Sequence, residues 1–254
     1  MKKSANINKF FRGSIFILIL LLLWQVLSTS GWLPNYLLPS PLDVIHAFIG
    51  DFEQLMMHSR VTLLEAAIGL FFGIVSGFLC AFLMDRKPFI RDALYPILVL
   101  TQTVPTVAIA PLLVLWMGYG IAPKVVLIVI VTFFPMAVNL YQGFAAADRD
   151  EIRLLRAMGA TSSEVFTYVK LPNALEGFFS ALKISASYSV VGAVIAEWLG
   201  GFQGLGVYMT RVKNAYSYDR MFAVIFLISF LSLLLMALVN YLQRKTMPWK
   251  QSER

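Results

Sequence analysis

Few polar side chains fall inside the apolar runs of this sequence, and those few mark where chemistry can occur. The run TQTVPTVAIAP places Thr101, Gln102, Thr103 and Thr106 around Pro105 and Pro111. Proline removes a backbone donor and interrupts the helical ladder. Broken, polar backbone is tolerated at membrane depth where it faces protein or a watery cavity. Gln102, Thr103 and Pro105 are therefore candidates for lining a polar pathway, the alternative being a proline kink buried in a bundle. Ser185 and Ser189, with Gly192 and Ala196, recur near helical spacing in a later run and would either line a pathway or pack a dimer. Glu197 lies near the end of that run. An ionisable residue there is a functional candidate, here a candidate external gate, and Glu65 holds a similar place in an earlier run. Hydroxyls, an amide and acids near the ends offer transient hydrogen bonds to a small polar or aromatic solute.

Other chemistries lack their residues. Cys80 is the only cysteine, and His46 and His58 are the only histidines. That excludes disulfides and cysteine metal sites and leaves no convincing metal set. No Gly-x-x-x-x-Gly-Lys-Ser/Thr phosphate loop occurs, so the chain lacks the usual equipment to bind ATP. A membrane enzyme would need a constellation such as paired acids or a His-rich site, and none is visible.

The elements that must position the polar residues are membrane helices. The 254 residues are 59% hydrophobic and 14% charged, against about 25% charged in a soluble domain. The pattern predicts an all-α integral membrane protein, a single domain over 1–254 with six spans at about 14–33, 61–84, 93–117, 125–141, 178–199 and 221–242. These lengths bracket the ~20 residues that cross a bilayer core. The first, Leu-rich run reads as an uncleaved span rather than a cleavable signal peptide, because five more follow. Gly69, Gly73 and Gly77 form a doubled GxxxG, a face that lets another helix approach closely.

The basic residues orient the spans. Fifteen lie before the first span, after the second, between the fourth and fifth, and after the sixth; five (Arg60, Lys124, Arg211, Lys213, Arg220) lie on the other side, and Lys183 stands at a border. This bias puts both termini in the cytoplasm. It also accounts for the net charge of +7 without nucleic acid, since no basic stripe exists.

The long polar interruption at 148–176 carries three successive helix-start signals: Asp148 with Glu151, Thr161 with Glu164, and Asn173 with Glu176. Each pairs a cap residue with an acid at N3. Gly159 sits where the first helix should end in the αL conformation, and Pro172 should stop the second. The expectation is helix, glycine turn, helix, Leu-Pro corner, then a third helix entering the membrane.

Gly159, Ala160, Leu171 and Pro172 resemble the cytoplasmic "EAA" loop of ABC importer permeases. The positions that name that motif hold Arg153, Leu154 and Leu155 here, so its usual glutamate contact has no counterpart. Leu38-Pro39-Ser40-Pro41, Gln102-Thr103-Val104-Pro105, Ala110-Pro111-Leu112, Phe133-Phe134-Pro135, Ala196-Glu197-Trp198 and Gly204-Leu205-Gly206 resemble the permeases for nitrate, taurine, alkanesulfonates and thiamine-precursor pyrimidines. The Leu-Leu-Arg-Ala-Met-Gly form of the loop is most similar to the pyrimidine-precursor members.

The resemblance implies a six-helix type I importer fold in a bacterial inner membrane, working as a homodimer and receiving solute from an external binding protein. It implies two copies of an ATPase subunit that hold ATP and Mg, none being bound by this chain. The loop would couple to those subunits through Arg153, Ala157, Gly159, Ala160, Phe166, Val169, Leu171 and Pro172. The competing reading is an ion-coupled secondary transporter, which would normally place an acid near the midplane.

The charge bias generates a direct test. A cysteine placed at Ser163 is expected to be shielded from an impermeant thiol reagent added outside, while one at Ser217 reacts; reversed labelling would overturn the orientation.

Overall fold

The computed structural model of the chain describes residues 2–30, 34 and 37–248, with side chains from Ile15 onward. The described secondary structure is helical: α1 (Lys2–Thr29), α2 (Pro41–Gly50), α3 (Phe52–Arg86), α4 (Pro88–Thr101), α5 (Thr106–Met117), α6 (Ile121–Ala145), α7 (Arg149–Ala157), α8 (Ser162–Val165), a π-turn (Phe166–Lys170), α9 (Leu171–Gly200), α10 (Leu205–Asn214) and α11 (Tyr218–Thr246). The predicted end of the first span near residue 33 and the basic residues Lys250 and Arg254 lie outside the described residues.

Among the described residues, four helices are long and apolar enough to cross a bilayer: Phe52–Arg86, Ile121–Ala145, Ser162–Gly200 and Tyr218–Thr246. The predicted third span is two helices, Pro88–Thr101 and Thr106–Met117, bent by 100°. The break falls at Gln102–Pro105, where the proline and the polar run had placed an interruption. In the first helix the described apolar part is Ile15–Thr29, shorter than the run of about 20 residues that a core-crossing helix needs.

The residues form two compact units, Met1–Met57 with Tyr208–Leu227, and His58–Val207 with Ile228–Arg254. In the first, Trp24 Nε1 donates to the Pro39 carbonyl at 3.1 Å, and Ser28 Oγ donates to Leu38 at 2.8 Å. The Trp24 ring stacks on Phe226 at 5.7 Å. Ser40 starts α2 through a capping box with Asp43. The Ser40 hydroxyl, with its backbone N–H, holds the Asp43 carboxyl below the usual carboxylate range.

In the second unit α6 is the central helix. The α3 glycines meet it without an intervening side chain. A Cβ on Gly69 would stand 2.5 Å from Ile128 Cβ, and one on Gly77 would stand 2.6 Å from Met136 Cβ and 3.1 Å from the Phe133 and Ala137 backbone. The GxxxG face is thus spent on α6 within the same chain. On the other flank, a Cβ on Gly143 would lie 2.7 Å from the Ala174 Cα, and one on Gly177 would lie 2.8 Å from the Asn139 carbonyl. Such small-residue faces draw backbones together where lipid supplies no hydrophobic drive between helices.

Lys124 Nζ meets Glu65 Oε1 at 2.6 Å, with side chains 6% and 4% exposed. Lys124 had been counted among the charges of the outer loops; it is a buried partner of α3 instead. Each charge there is tolerable only because the other is present.

The loop follows its first two start signals and departs from the third. Thr161 and Glu164 form a reciprocal capping box, and Asp148 accepts from the Asp150 N–H at 2.8 Å. Gly159 has φ +90°, so the expected left-handed stop is present. Pro172 makes no corner, however, and Ser162–Gly200 runs on as one helix of 39 residues. The π-turn explains this. The Leu171 N–H reaches back to the Phe166 carbonyl, and Pro172 then follows directly on this wide turn, which breaks the regular i→i−4 ladder at the place where proline cannot continue it. Asn173 caps nothing; its Nδ2 donates to Val169 at 3.0 Å.

Two stability measurements follow. Gly77→Ala is expected to cost about 1–3 kcal/mol by overpacking against α6, while Gly50→Ala, with nothing within 4 Å of its Cβ, leaves thermal unfolding in detergent nearly unchanged. Lys124→Met is expected to destabilise by about 3–5 kcal/mol, and adding Glu65→Leu to recover most of that; equal stability of all three forms would show that the pair contributes nothing.

Candidate functional site

The break between α4 and α5 borders a cavity of about 200 Å³. Thr101, Gln102, Val104 and Thr106 of the break line one side. Ile130 and Val131 of α6, with Tyr188, Val191, Gly192 and Ile195 of α9, line the other. The polar groups are two hydroxyls, an amide and a phenol, and no lining residue carries a charge. The Thr101 hydroxyl is spent on its own helix, donating to the Leu98 carbonyl at 2.7 Å. Gln102 is exposed.

Of the five predicted pathway residues, the structure brings only Gln102 to this cavity. Thr103 turns its hydroxyl back to Leu100 at 2.8 Å. Pro105 is the cap residue of α5, with φ −63° and ψ 120°, and its part is to set the bend. Ser185 and Ser189 are fully buried. Ser185 Oγ donates to the Thr132 carbonyl of α6 at 3.3 Å, and Ser189 Oγ donates to Ala186 at 2.8 Å. They are the small residues that let α9 lie on α6, and the cavity is lined by the neighbouring face of α9. The helical period explains the offset: Tyr188, Val191, Gly192 and Ile195 share a face at spacings of three and four, rotated from the serine stripe.

Glu197 is 1% exposed and serves as a tie between backbone elements. Its Oε1 accepts from Thr62 Oγ1 at 2.7 Å, and its Oε2 accepts from the Gly206 N–H at 2.6 Å. Thr62 Oγ1 accepts from the Leu205 N–H at 2.9 Å, and His58 Nδ1 accepts from the Gly204 N–H at 3.0 Å. The first N–H groups of α10 have no intrahelical partner, and a carboxylate beside them is favoured by the helix dipole. A solute therefore has no access to this carboxylate as it stands.

The 148–176 loop exposes part of what the sequence assigned to it. Arg153, Ala157, Gly159 and Pro172 are exposed, and Ala160 and Leu171 half-buried. Phe166 and Val169 instead pack into this chain. Val169 is buried, and the Phe166 ring sits 5.0 Å from Phe82 and 5.1 Å from Phe144. The apolar side chains that remain open are Leu154, Met158 and Tyr168, at 63%, 76% and 70% exposure. The reason is tertiary: Phe82 of α3 and Phe144 of α6 receive the Phe166 ring, so this face of the loop helix is used inside the chain.

Sequence reasoning missed the Glu65–Lys124 pair, although a signal existed. Glu65 lies four residues into the second predicted span and Lys124 just before the fourth, so opposite charges stand at the same membrane depth. It also missed Tyr188 in the cavity wall and Lys170 on Asp85, whose pairing has no sequence signature.

Comparison with known proteins agrees with this geometry. Residues 69–248 match the family described as "Binding-protein-dependent transport system inner membrane component". The formylaminopyrimidine transport permease protein ThiX of Halalkalibacterium halodurans is 36% identical over 241 residues, covering 94% of this chain and 96% of the relative. A probable ABC transporter permease protein of Haemophilus influenzae is 37% identical over 224 residues, covering 88% and 91%. Among solved structures, an inward-facing form of the MetNI methionine ABC transporter superposes with a TM-score of 0.66 at 21% identity, over 77% of this chain and 97% of the other. With the broken span, the capped loop and the family match all in one chain, this protein belongs to the binding-protein-dependent transport system inner membrane components and is a membrane-embedded permease subunit of an ABC importer.

Proposed function

We propose that the chain is one half of a homodimeric permease that carries a small, flat, uncharged heteroaromatic solute of the aminopyrimidine kind across a bacterial inner membrane. The observation that carries this reading is the cavity at Gln102, whose described lining offers an amide, hydroxyls and the Tyr188 ring but no cation. A sulfonate crossing here would lose its hydration without gaining a positive partner, and an unpaired charge in an apolar site is costly. A planar ring with polar edges would stack on Tyr188 and exchange hydrogen bonds with Gln102. The 36% identity to a permease named for formylaminopyrimidine supports the same class. Solute choice is made chiefly by an external binding protein, because the lining offers only weak, transient contacts.

Two ATPase subunits, holding ATP and Mg, dock on the 148–176 loop. Its exposed Leu154 and Met158 at α7 and Tyr168 at the π-turn, with Arg153, Ala157 and the turn at Gly159, supply apolar side chains of the kind that seat in a groove. The charge bias of the sequence places this loop and both termini in the cytoplasm.

The substrate is tested in proteoliposomes holding permease, ATPase and binding protein. Labelled formylaminopyrimidine is expected to accumulate on ATP addition, with excess taurine competing poorly. Gln102→Trp is expected to cut uptake more than about tenfold, over 1.4 kcal/mol of barrier, while the complex still assembles. Taurine uptake in place of the pyrimidine would overturn the substrate class.

The coupling surface is tested at Gly159. A β-branched side chain at φ +90° costs about 1 kcal/mol or more, too little to unfold the protein but enough to re-aim α8. Gly159→Val is expected to yield a folded, inserted permease that loses its ATPase subunits or consumes ATP without uptake. Wild-type transport at normal expression would remove the loop from the coupling path.

A further inference from the structure

We propose that two polar pins, Lys170–Asp85 at the loop end and Glu197–Thr62 at the opposite end, lock α9 to α3. A displacement of the ATPase-contacting loop is thereby delivered to the turn at Gly204–Gly206. The inference rests on the reading of the 148–176 loop as the ATPase contact.

Three features of the second unit carry it. First, α8, the π-turn and α9 form one uninterrupted helix from Ser162 to Gly200, so a movement of the loop helix is a movement of α9. Second, the π-turn presents both groups that grip α3. Lys170 Nζ meets Asp85 Oδ1 at 2.6 Å, with Asp85 only 9% exposed. One turn away, Phe166 packs on Phe82, with the Arg86 guanidinium 5.2 Å from the Phe82 ring and 5.9 Å from the Phe166 ring. Third, the Glu197 carboxylate divides its oxygens between Thr62 of α3 and the Gly206 N–H, and Thr62 in turn accepts from Leu205. One carboxylate thus joins α3, α9 and the start of α10.

Both helices lie on α6 through small residues. That interdigitation seats each helix on α6, and the two pins are what join α3 and α9 to one another. Hydrogen bonds are directional and short-ranged, so a pin at each end fixes the register of α9 against α3. Neither pin touches the cavity at Gln102. These four side chains are positioning residues: they decide whether the two ends of the helix pair move together.

The test uses the full complex with ATPase and loaded binding protein, reading subunit stoichiometry, Tm, basal ATP hydrolysis and its stimulation by the binding protein. Asp85→Asn is expected to keep the ATPase subunits and basal hydrolysis while stimulation falls at least about fivefold, the lower end of coupling between sites. The exchange Asp85→Lys with Lys170→Asp is expected to restore stimulation to within about twofold of wild type, as a pairwise interaction requires. Thr62→Val is expected to show the same loss and Thr62→Ser to retain the response. Wild-type stimulation in both Asp85→Asn and Thr62→Val would overturn the proposal, as would an exchange no better than the single variant. A wild-type complex whose hydrolysis ignores the binding protein would fail differently, sinking the coupling reading and this inference with it.

Discussion

The close approach of α3 and α9 to α6 is the constraint on which the second unit depends. In hydrocarbon, two apolar helices gain nothing by leaving lipid for one another, so association rests on packing and on hydrogen bonds. Gly69, Gly73 and Gly77 admit the α6 side chains Ile128, Thr132 and Met136 on one flank, and Gly143 and Gly177 admit the α9 and α6 backbones on the other. Ser185 and Thr132 are fully buried in the same seam. Both hydroxyls are satisfied by backbone carbonyls, Thr132 Oγ1 donating to Ile128 and Ser185 Oγ to Thr132, as a membrane interior demands.

That seam leaves the cavity-facing side of α9 free for a different purpose. Because α9 gives its small residues to α6, the larger Tyr188, Val191 and Ile195 turn toward the break between α4 and α5. There Pro105 and the polar run open the helix, and the 100° bend carries Gln102 to the cavity wall. The polar path is thus a by-product of two neighbouring decisions: where glycine and serine permit contact, and where proline forbids a continuous ladder.

At both ends of α9 the scarce charges are paired or capped. Glu197 accepts backbone and hydroxyl donors, Lys170 meets Asp85, and Lys124 meets Glu65. A chain with 14% charged residues places its buried ones where each has a named partner. These are the points at which directional polar contacts add to the interdigitated small-residue faces.

By itself the sequence determined the class, the broken span, the glycine face, the starts of the first two loop helices and the glycine stop between them. Each of these is local: apolar run length, proline, GxxxG spacing, Thr161 with Glu164, and positive φ at Gly159 are read within a few residues. The tertiary structure decided what depends on rotation about a helix axis or on residues distant in the chain. Ser185 and Ser189 went to the α6 seam rather than the path, Phe166 and Val169 turned inward, Glu197 became a tie, and Pro172 was absorbed in a continuous helix. The physical reason is that the partners are distant in the chain: Thr132 for Ser185, Phe82 and Phe144 for Phe166, and Thr62 with Gly206 for Glu197. The fate of Pro172 follows from the π-turn at Phe166–Lys170, and nothing in the local sequence announces that turn, because its stabilising contacts, Asp85, Phe82 and Phe144, come from other helices.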